Sequence, residues 1–186
     1  MALSSHGFAS TILCISLLVL TIANSSAAHV VVTDEKIMEI CSKVEHNAQF
    51  CINLLSSHPE TKTMDLYGLA QMVIDTANTK LQEIIAITTS LDQSTKDHVL
   101  KARYSSCSIY FAIAVNAMQV SKTCVITKKF SNIDLSLTSA KINVVNCRDN
   151  RMGGGTIPPN LAQMIQEFDC ICQTGEAITR RLHLKN

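Results

Sequence analysis

Four cysteines constrain the fold of this chain more than any other feature. Nine residues separate Cys41 from Cys51, whereas Cys107 and Cys147 lie far downstream, each in a segment whose apolar residues have helical spacing. Four cysteines allow three pairings. The local ones, Cys41 with Cys51 and Cys107 with Cys147, are topologically the easiest, because they need only a helical hairpin and two consecutive antiparallel helices that face each other. The sequence therefore predicts a helical domain with two disulfides.

The chain begins with an apolar segment of the kind that directs secretion. Residues 8–23 carry no charge, and small residues follow at positions 25–28. The segment is too short to span a bilayer comfortably, which takes about 20 residues. We interpret residues 1–28 as a cleaved signal peptide and residues 29–186 as one mature domain. The alternatives are an N-terminal membrane anchor or a buried helix. A secreted protein can keep its disulfides, and we expect no membrane association once the leader is removed.

Helical spacing of apolar residues continues through nearly the whole mature domain. Two short helices, within residues 34–46 and 50–55, predict an N-terminal helical hairpin, and four longer helices follow. The predicted fold is all-α: an up-down-up-down four-helix bundle with the hairpin and two disulfides. The alternative is the same helices joined by crossover connections, which the short connections disfavour.

Several local signals set the expected boundaries of the long helices. Ser94 with Asp97 resembles a capping box and predicts the start of the second long helix. Residues 128–132 interrupt the apolar spacing and predict the connection to the third. The glycine run 153–155 ends the third helix, and the proline pair 158–159 opens the fourth.

Three further cysteines remain in the mature domain: Cys124, Cys170 and Cys172. We expect all three to be unpaired, because in this bundle Cys124 would lie about 20 Å along the axis from the other two. Cys172 falls on the apolar stripe of its helix and should be inert. Cys170 falls off the stripe and is the expected site of oxidation. We therefore expect a monomer, with a disulfide-linked dimer through a free cysteine as the alternative.

Composition and motifs argue against several classes of function. A formal net charge of +1 offers no basic face for nucleic acid, and 4% aromatic residues without Trp offer few stacking platforms for sugars. The chain has no hydrolase, nucleotide-binding or zinc-protease signature. Its histidines are scattered, and the Cys170-Ile171-Cys172 pair is too little for a metal site. We predict a binding module without metal or cofactor, rather than an enzyme.

Four segments resemble the plant invertase/pectin methylesterase inhibitor family. They are ICSKVEHNAQFC at 40–51, MDLYGLAQMVIDTA at 64–77, CSIYFAIAVNAM at 107–118 and the segment that ends SAKINVVNCRD at Asp149. The resemblance covers essentially the whole mature domain. It implies a helical hairpin on a four-helix bundle with the same two disulfides. It also implies a secreted inhibitor of a plant carbohydrate-active enzyme, located in the cell wall (apoplast) or in the vacuole.

The resemblance leaves two target enzymes open. Invertase-inhibiting members resemble one another at a Pro-Lys-Phe tripeptide before the third bundle helix, where this chain has Lys128, Lys129 and Phe130. We hypothesise that these residues bind invertase (beta-fructofuranosidase) and occlude its active site. In this hypothesis Phe130 is an exposed anchor and Lys129 reaches the catalytic carboxylates. The other interpretation is a solvated basic turn with Phe130 packed into the end of the bundle.

Pectin methylesterase is the second target that the family implies. Members that inhibit it carry a Ser-Ala-Ala-Leu run before the fourth cysteine, where this chain has Ser139-Ala140-Lys141-Ile142. Such inhibition would use the faces of the bundle helices. Invertase is the favoured target at this point. Pectin methylesterase is the first alternative, and a non-inhibitory secreted bundle, allergen-like or signalling, is the second.

Overall fold

The computed structural model describes residues 31–149 and 155–184, and within these ranges every regular element is helical. The predicted leader and glycines 153 and 154 lie outside the described residues. The all-α prediction is confirmed. The α-helices are α1 (Asp34–Cys41), α2 (Ala48–Ser56), α3 (Leu66–Ser94), α4 (His98–Ile126), α5 (Phe130–Asp149) and α6 (Pro159–Leu184), and a 3₁₀ turn (Pro59–Thr63) follows α2.

The four long helices form an up-down-up-down bundle. Cys107 of α4 is bonded to Cys147 of α5, and fourteen residues later on α4 Ser121 lies against Ser136, so numbers rise on one helix as they fall on the other. The same inverse order relates α3 to α4 and α5 to α6. Helix α6 packs back on α3 and closes the bundle. Consequently α4 and α6 lie diagonally across from each other.

The N-terminal hairpin covers the outer side of α6. Helices α1 and α2 are joined by the disulfide between Cys41 and Cys51, and both pack on α6. Asn47 donates a hydrogen bond to the side chain of Gln173 over 3.1 Å, and Arg181 of α6 pairs with Glu39 of α1. The hairpin buries a second side of α6, which would face solvent in a bare four-helix bundle. Both disulfide pairings agree with those expected from the sequence.

Two predicted helix boundaries before residue 100 are wrong. The first helix ends at Cys41 rather than continuing to His46, because the chain turns there, with His46 in the left-handed region at φ 58°. Ser94 is the last residue of α3, and Asp97 itself caps α4. Its carboxylate accepts hydrogen bonds from the backbone N–H groups of Val99, at 2.8 Å, and Leu100, at 3.2 Å. Asp is among the strongest N-cap residues, so the cap lies three residues later than the motif suggested.

The prediction for the free cysteines is confirmed in part. Cys124, Cys170 and Cys172 are all unpaired and all buried. Burial raises the pKa of the Cys172 thiol well above its ordinary value, as expected for an inert residue. Cys170, however, is only 4% exposed, and burial also raises the pKa of its thiol. The expectation that Cys170 is the reactive site is wrong, because its side chain is buried. The hairpin packs on α6 close by, where Asn47 bonds to Gln173 three residues further along. A disulfide-linked dimer through these buried thiols would first require local opening.

Helix α4 combines great length with few charged residues. Within the described ranges, it alone is long and apolar enough, by length and composition, to cross a membrane. Core helices of globular proteins meet the same test, and α4 packs in the bundle through Tyr104, Phe111 and Met118 and through its disulfide. Only 39% of its most apolar window is buried. A large share of the apolar surface of α4 therefore faces outward.

Candidate functional site

The connection between α4 and α5 is a tight, hydrogen-bonded turn. The N–H of Lys129 donates to the carbonyl of Cys124 over 2.8 Å, and the N–H of Lys128 donates to the carbonyl of Val125 over 3.0 Å. Lys128 lies in the left-handed region at φ 56°. These features define a Schellman motif, in which glycine usually takes the left-handed position. The predicted connection 128–132 is therefore too long, since α5 already begins at Phe130.

The aromatic residue of the predicted target-binding tripeptide is not an exposed anchor. Phe130 is only 8% exposed, and its ring meets the ring of Tyr67 edge to face at 6.4 Å between centroids. The Nζ of Lys128 lies 5.8 Å from the centroid of Tyr67, within cation–π range. Lys129 remains exposed. Phe130 is therefore packed into the end of the bundle, and a role of this turn in target binding would depend on its two lysines.

A proline at position 128 would not fit this turn. Proline fixes φ near −65° and has no N–H, whereas Lys128 has φ 56° and donates its N–H to Val125. The connection is thus preorganised by the Schellman motif instead of by proline. It differs in backbone conformation, and not only in one side chain, from a turn that could accept the Pro-Lys-Phe tripeptide.

The outward side of α4 carries no charge over five turns. Between Lys101 and Lys122 the only charged residue is Arg103. It is buried, and its guanidinium donates to the carbonyls of Arg148, at 2.6 Å, and Gly155. The exposed side chains in this interval are aliphatic or neutral polar: Ala102, Ser105, Ser108, Ile109, Ala112, Ile113, Asn116, Gln119 and Val120.

Helix α5 extends this surface with two more exposed aliphatic residues. Leu135 is 74% exposed and Ile142 is 51% exposed. The antiparallel register set by the pairs 107–147 and 121–136 places Leu135 level with Val120 and Ile142 level with Ile113. We call the surface formed by Ile109, Ile113, Val120, Leu135 and Ile142 the charge-free face.

Charged residues of α5 are turned away from the charge-free face toward α6. Asp134 accepts a hydrogen bond from Arg180 at 3.0 Å, and Lys141 lies 3.1 Å from Glu176. Thr138 also donates to Glu176 over 2.8 Å. These pairs leave the side of α5 next to α4 without charge. An exposed apolar surface depleted of charge is typical of the core of a protein–protein interface.

The charge-free face was not predicted, because the spacing of apolar residues along a helix identifies only its buried stripe. Residues 104–121 contain no charged residue at all, which is more apolar surface than one buried stripe requires. Ile109 and Ile113 are four residues apart and off that stripe, and Ile109 is 67% exposed. The absence of charged residues from the solvent-exposed side of a long helix was the signal in the sequence that could have predicted this face.

A polar cavity of about 530 Å³ lies where the hairpin turn meets α5 and α6. The carboxylate of Glu176 is buried at this cavity and is held by Thr138, Lys141 and Arg180. Its charge is therefore compensated within the protein, and the cluster joins α5 to α6. In the described ranges, no group of three His, Cys, Asp or Glu side chains could hold a metal ion.

Comparison with known protein families identifies the family to which this helical bundle belongs. The model of the plant invertase/pectin methylesterase inhibitor family matches residues 35–177. The chain belongs to this family. The matched range contains the hairpin, both disulfides, the charge-free face and most of α6.

Curated relatives of this family member include inhibitors named for both enzymes. A pectinesterase inhibitor of Actinidia deliciosa is 29% identical over 136 residues, which are 73% of each chain. Pectinesterase inhibitor 2 of Arabidopsis thaliana is 24% identical over 73% of this chain and 78% of its own. The Arabidopsis thaliana "cell wall / vacuolar inhibitor of fructosidase 2" is 24% identical over 94% of this chain and 98% of its own. The named relatives are enzyme inhibitors rather than enzymes.

Solved structures of the family share the fold. A mutant form of an Arabidopsis pectin methylesterase inhibitor superposes with a TM-score of 0.71 over 78% of this chain and 95% of its own, at 16% identity. A second crystal structure, of a pectin methylesterase inhibitor from Arabidopsis thaliana, gives a TM-score of 0.61 over 80% of this chain and 96% of its own, also at 16% identity. At this identity the likeness establishes the fold, and the function has to be argued from the surface.

Proposed function

We propose that this family member is a secreted inhibitor of a pectin methylesterase, and that it binds the enzyme through the charge-free face. The observation that carries the proposal is the exposure of Ile109, Ile113 and Leu135 on a surface without charge. A folded secreted protein gains nothing from keeping these side chains in water. Covering them with a partner gains roughly 25 cal/mol for each Å² of apolar surface removed.

The rigidity of the bundle supports inhibition by occlusion of the substrate cleft. The disulfide between Cys107 and Cys147 joins α4 to α5, and Ser121 bonds to Ser136 further along the same two helices. Both helices of the charge-free face are therefore fixed before binding, which lowers the ordering cost of association. A face of two helices can cover a shallow cleft without inserting a loop.

Three observations favour pectin methylesterase over invertase. Phe130, the expected anchor for invertase, is buried against Tyr67. The turn at Lys128 has a backbone conformation that the proline of the invertase-inhibitor tripeptide could not adopt. Two of the curated relatives are also named as pectinesterase inhibitors.

Invertase is the second candidate target, and one observation favours it. Lys129 is exposed on a rigid turn at the end of the bundle, where a cation could reach the paired carboxylates of a glycosidase. The inhibitor of fructosidase from Arabidopsis thaliana also matches over 94% of this chain. For either target we propose secretion to the cell wall, with the vacuole as the alternative, on the basis of the leader sequence.

The test is to titrate the oxidised protein against a pectin methylesterase, a cell-wall invertase and a vacuolar invertase at mildly acidic pH. We expect inhibition of the esterase. The variant Ile113→Glu should raise its inhibition constant by at least about 30-fold, because an unpaired carboxylate would be buried in the interface. The matched control is Met38→Glu on α1, since Met38 is also exposed but lies on the hairpin, and it should leave inhibition unchanged.

Two other outcomes would change the proposed target enzyme or remove the inhibitory function. Inhibition of an invertase that is lost in Lys129→Glu and kept in Ile113→Glu would establish the second candidate. A folded protein that inhibits none of the three enzymes would indicate a non-inhibitory bundle.

A further inference from the structure

A groove beside the charge-free face has the properties of a binding pocket. It has a volume of about 390 Å³ and lies between α3 and α4. Each residue that lines it is apolar or neutral. Those on which the argument depends are Ile85 and Thr89 of α3 and Ser108, Phe111, Ala112 and Val115 of α4.

The hydroxyl groups in this groove are turned to their own helices. Thr88 donates to the carbonyl of Ile84 and Thr89 to the carbonyl of Ile85, each over 2.8 Å. Ser108 donates to the carbonyl of Tyr104 over 3.5 Å. The two threonine hydroxyls are thereby satisfied, and the threonines can present their methyl groups to the groove. The hydroxyl of Ser108 is exposed and makes only this long contact. The walls are therefore largely apolar, and Asn116 adds a neutral amide to the lining.

The groove and the charge-free face share one helix. Ser108 and Ala112 line the groove, and each immediately precedes a residue of the face, Ile109 and Ile113 respectively. A protein that covers the face therefore reaches the mouth of the groove. Small side chains at positions 108 and 112 keep that mouth open.

We propose that this groove receives one aromatic side chain of the target enzyme and so contributes to the selection of the target. The proposal rests on the proposed function, because it assumes that the enzyme covers the charge-free face. Aromatic residues dominate the energetic centres of interfaces, where they fill water-free pockets, and each buries about 150–250 Å². A charged side chain is excluded, because the lining offers it no partner of opposite charge.

The test compares one substitution at two exposed alanines. Ala112→Asp places a carboxylate in the groove, whereas Ala86→Asp places it on the exposed side of α3, outside the lining. We expect Ala112→Asp to raise the inhibition constant against pectin methylesterase by at least about 30-fold, and Ala86→Asp to change it by less than about 3-fold. Circular dichroism and thermal unfolding would confirm that both variants are folded.

A second measurement uses the free protein and needs no enzyme. Indole, as a probe for an aromatic side chain, should shift the methyl resonances of Val115 in the wild type, and Ala112→Leu should abolish this shift by filling the groove. If Ala112→Asp inhibits like the wild type while Ile113→Glu does not, the groove proposal is wrong and the proposed face is right. If both variants inhibit like the wild type, the proposed face is wrong as well. If the wild type does not inhibit the esterase, the proposed function fails, and this proposal fails with it.

Discussion

The hydroxyl oxygens of Ser121 and Ser136 lie 2.8 Å apart in the buried seam between α4 and α5. Ser121 also lies 3.1 Å from the carbonyl of Ala117, and Ser136 lies 2.9 Å from that of Asn132. Two small residues that satisfy each other allow the helices to approach closely. The close approach places the outward sides of α4 and α5 next to each other, where together they form the charge-free face.

Removing one hydroxyl of the Ser121–Ser136 contact should destabilise the protein moderately. Ser121→Ala leaves Ser136 with backbone carbonyls to which it can still donate, so no buried donor is left unsatisfied. We expect a loss of about 1 kcal/mol in the free energy of unfolding, measured by urea denaturation. Ser131→Ala, on the exposed side of α5, is the control and should change it by less than about 0.5 kcal/mol. Equal effects of the two substitutions would show that the buried contact contributes nothing.

Substitution of Lys128 should reveal its left-handed backbone. Lys128→Pro cannot reach φ 56° and loses the bond to Val125, so we expect it to destabilise the protein by about 3 kcal/mol or more. Lys128→Gly relieves the left-handed strain but loses the contact with Tyr67 and should lie within about 1 kcal/mol of the wild type. Thermal unfolding of both variants measures this. A proline variant as stable as the wild type would contradict the Schellman motif.

The ion pair between Glu39 and Arg181 should make hairpin docking sensitive to strong acid. Hydrogen bonds from Lys36 and from Arg181 lower the pKa of Glu39 from 4.5 to about 2. Because the pKa of Glu39 is lower in the folded state, the ionised carboxylate contributes fully to stability above about pH 4.5, and this contribution is lost as the pH falls toward 2. The difference in melting temperature between wild type and Glu39→Gln should therefore shrink over that range. Glu35→Gln on the same helix is the control. A difference that persists at pH 2 would contradict the assignment.

Inhibition of a pectin methylesterase through the charge-free face should depend little on salt. The face has no charge of its own to be screened, so we expect the inhibition constant to change by less than about 3-fold between about 50 and about 500 mM NaCl. Lys129→Glu should behave like the wild type in the same assay. A more than tenfold weakening at high salt would indicate that charged contacts, such as Lys129, carry the binding.

The three free thiols should react only after unfolding. Cys124, Cys170 and Cys172 are buried, and burial raises the thiol pKa of the latter two, so an exposure-dependent thiol reagent should modify none of them rapidly in the native protein. The denatured, non-reduced protein should yield three. A count of one would indicate a third disulfide. Rapid reaction of one thiol in the native state would show that the packing around it opens readily.

The sequence was sufficient for the bundle because helical spacing reports directly which side of a helix is buried. The buried residues of α3 and α5, from Leu66 to Thr88 and from Ile133 to Cys147, recur at the helical spacing on which the prediction of a bundle rested. Spacing within one helix cannot report a second covering element. This is why the burial of Cys170 was missed.

The candidate site was less predictable, because its decisive contacts join distant segments. Phe130 is buried by Tyr67, which precedes it by 63 residues, and no local pattern distinguishes that packing from exposure. The conformation of Lys128 was equally hidden, since lysine seldom takes a left-handed position. The lack of charge along α4, by contrast, was visible in the sequence, and only its exposure required the structure.

The hairpin packs on α6, and α6 lies diagonally across the bundle from α4. The element that completes the domain and the helix that offers the charge-free face are thus on opposite sides and share no residue. If the target enzyme binds the charge-free face as proposed, substitutions in the hairpin, for example for resistance to acid or to proteases, leave the target-binding surface unchanged. A lineage could therefore exchange one enzyme for another by changing a few outward positions on α4 and α5, while it inherits the hairpin unchanged.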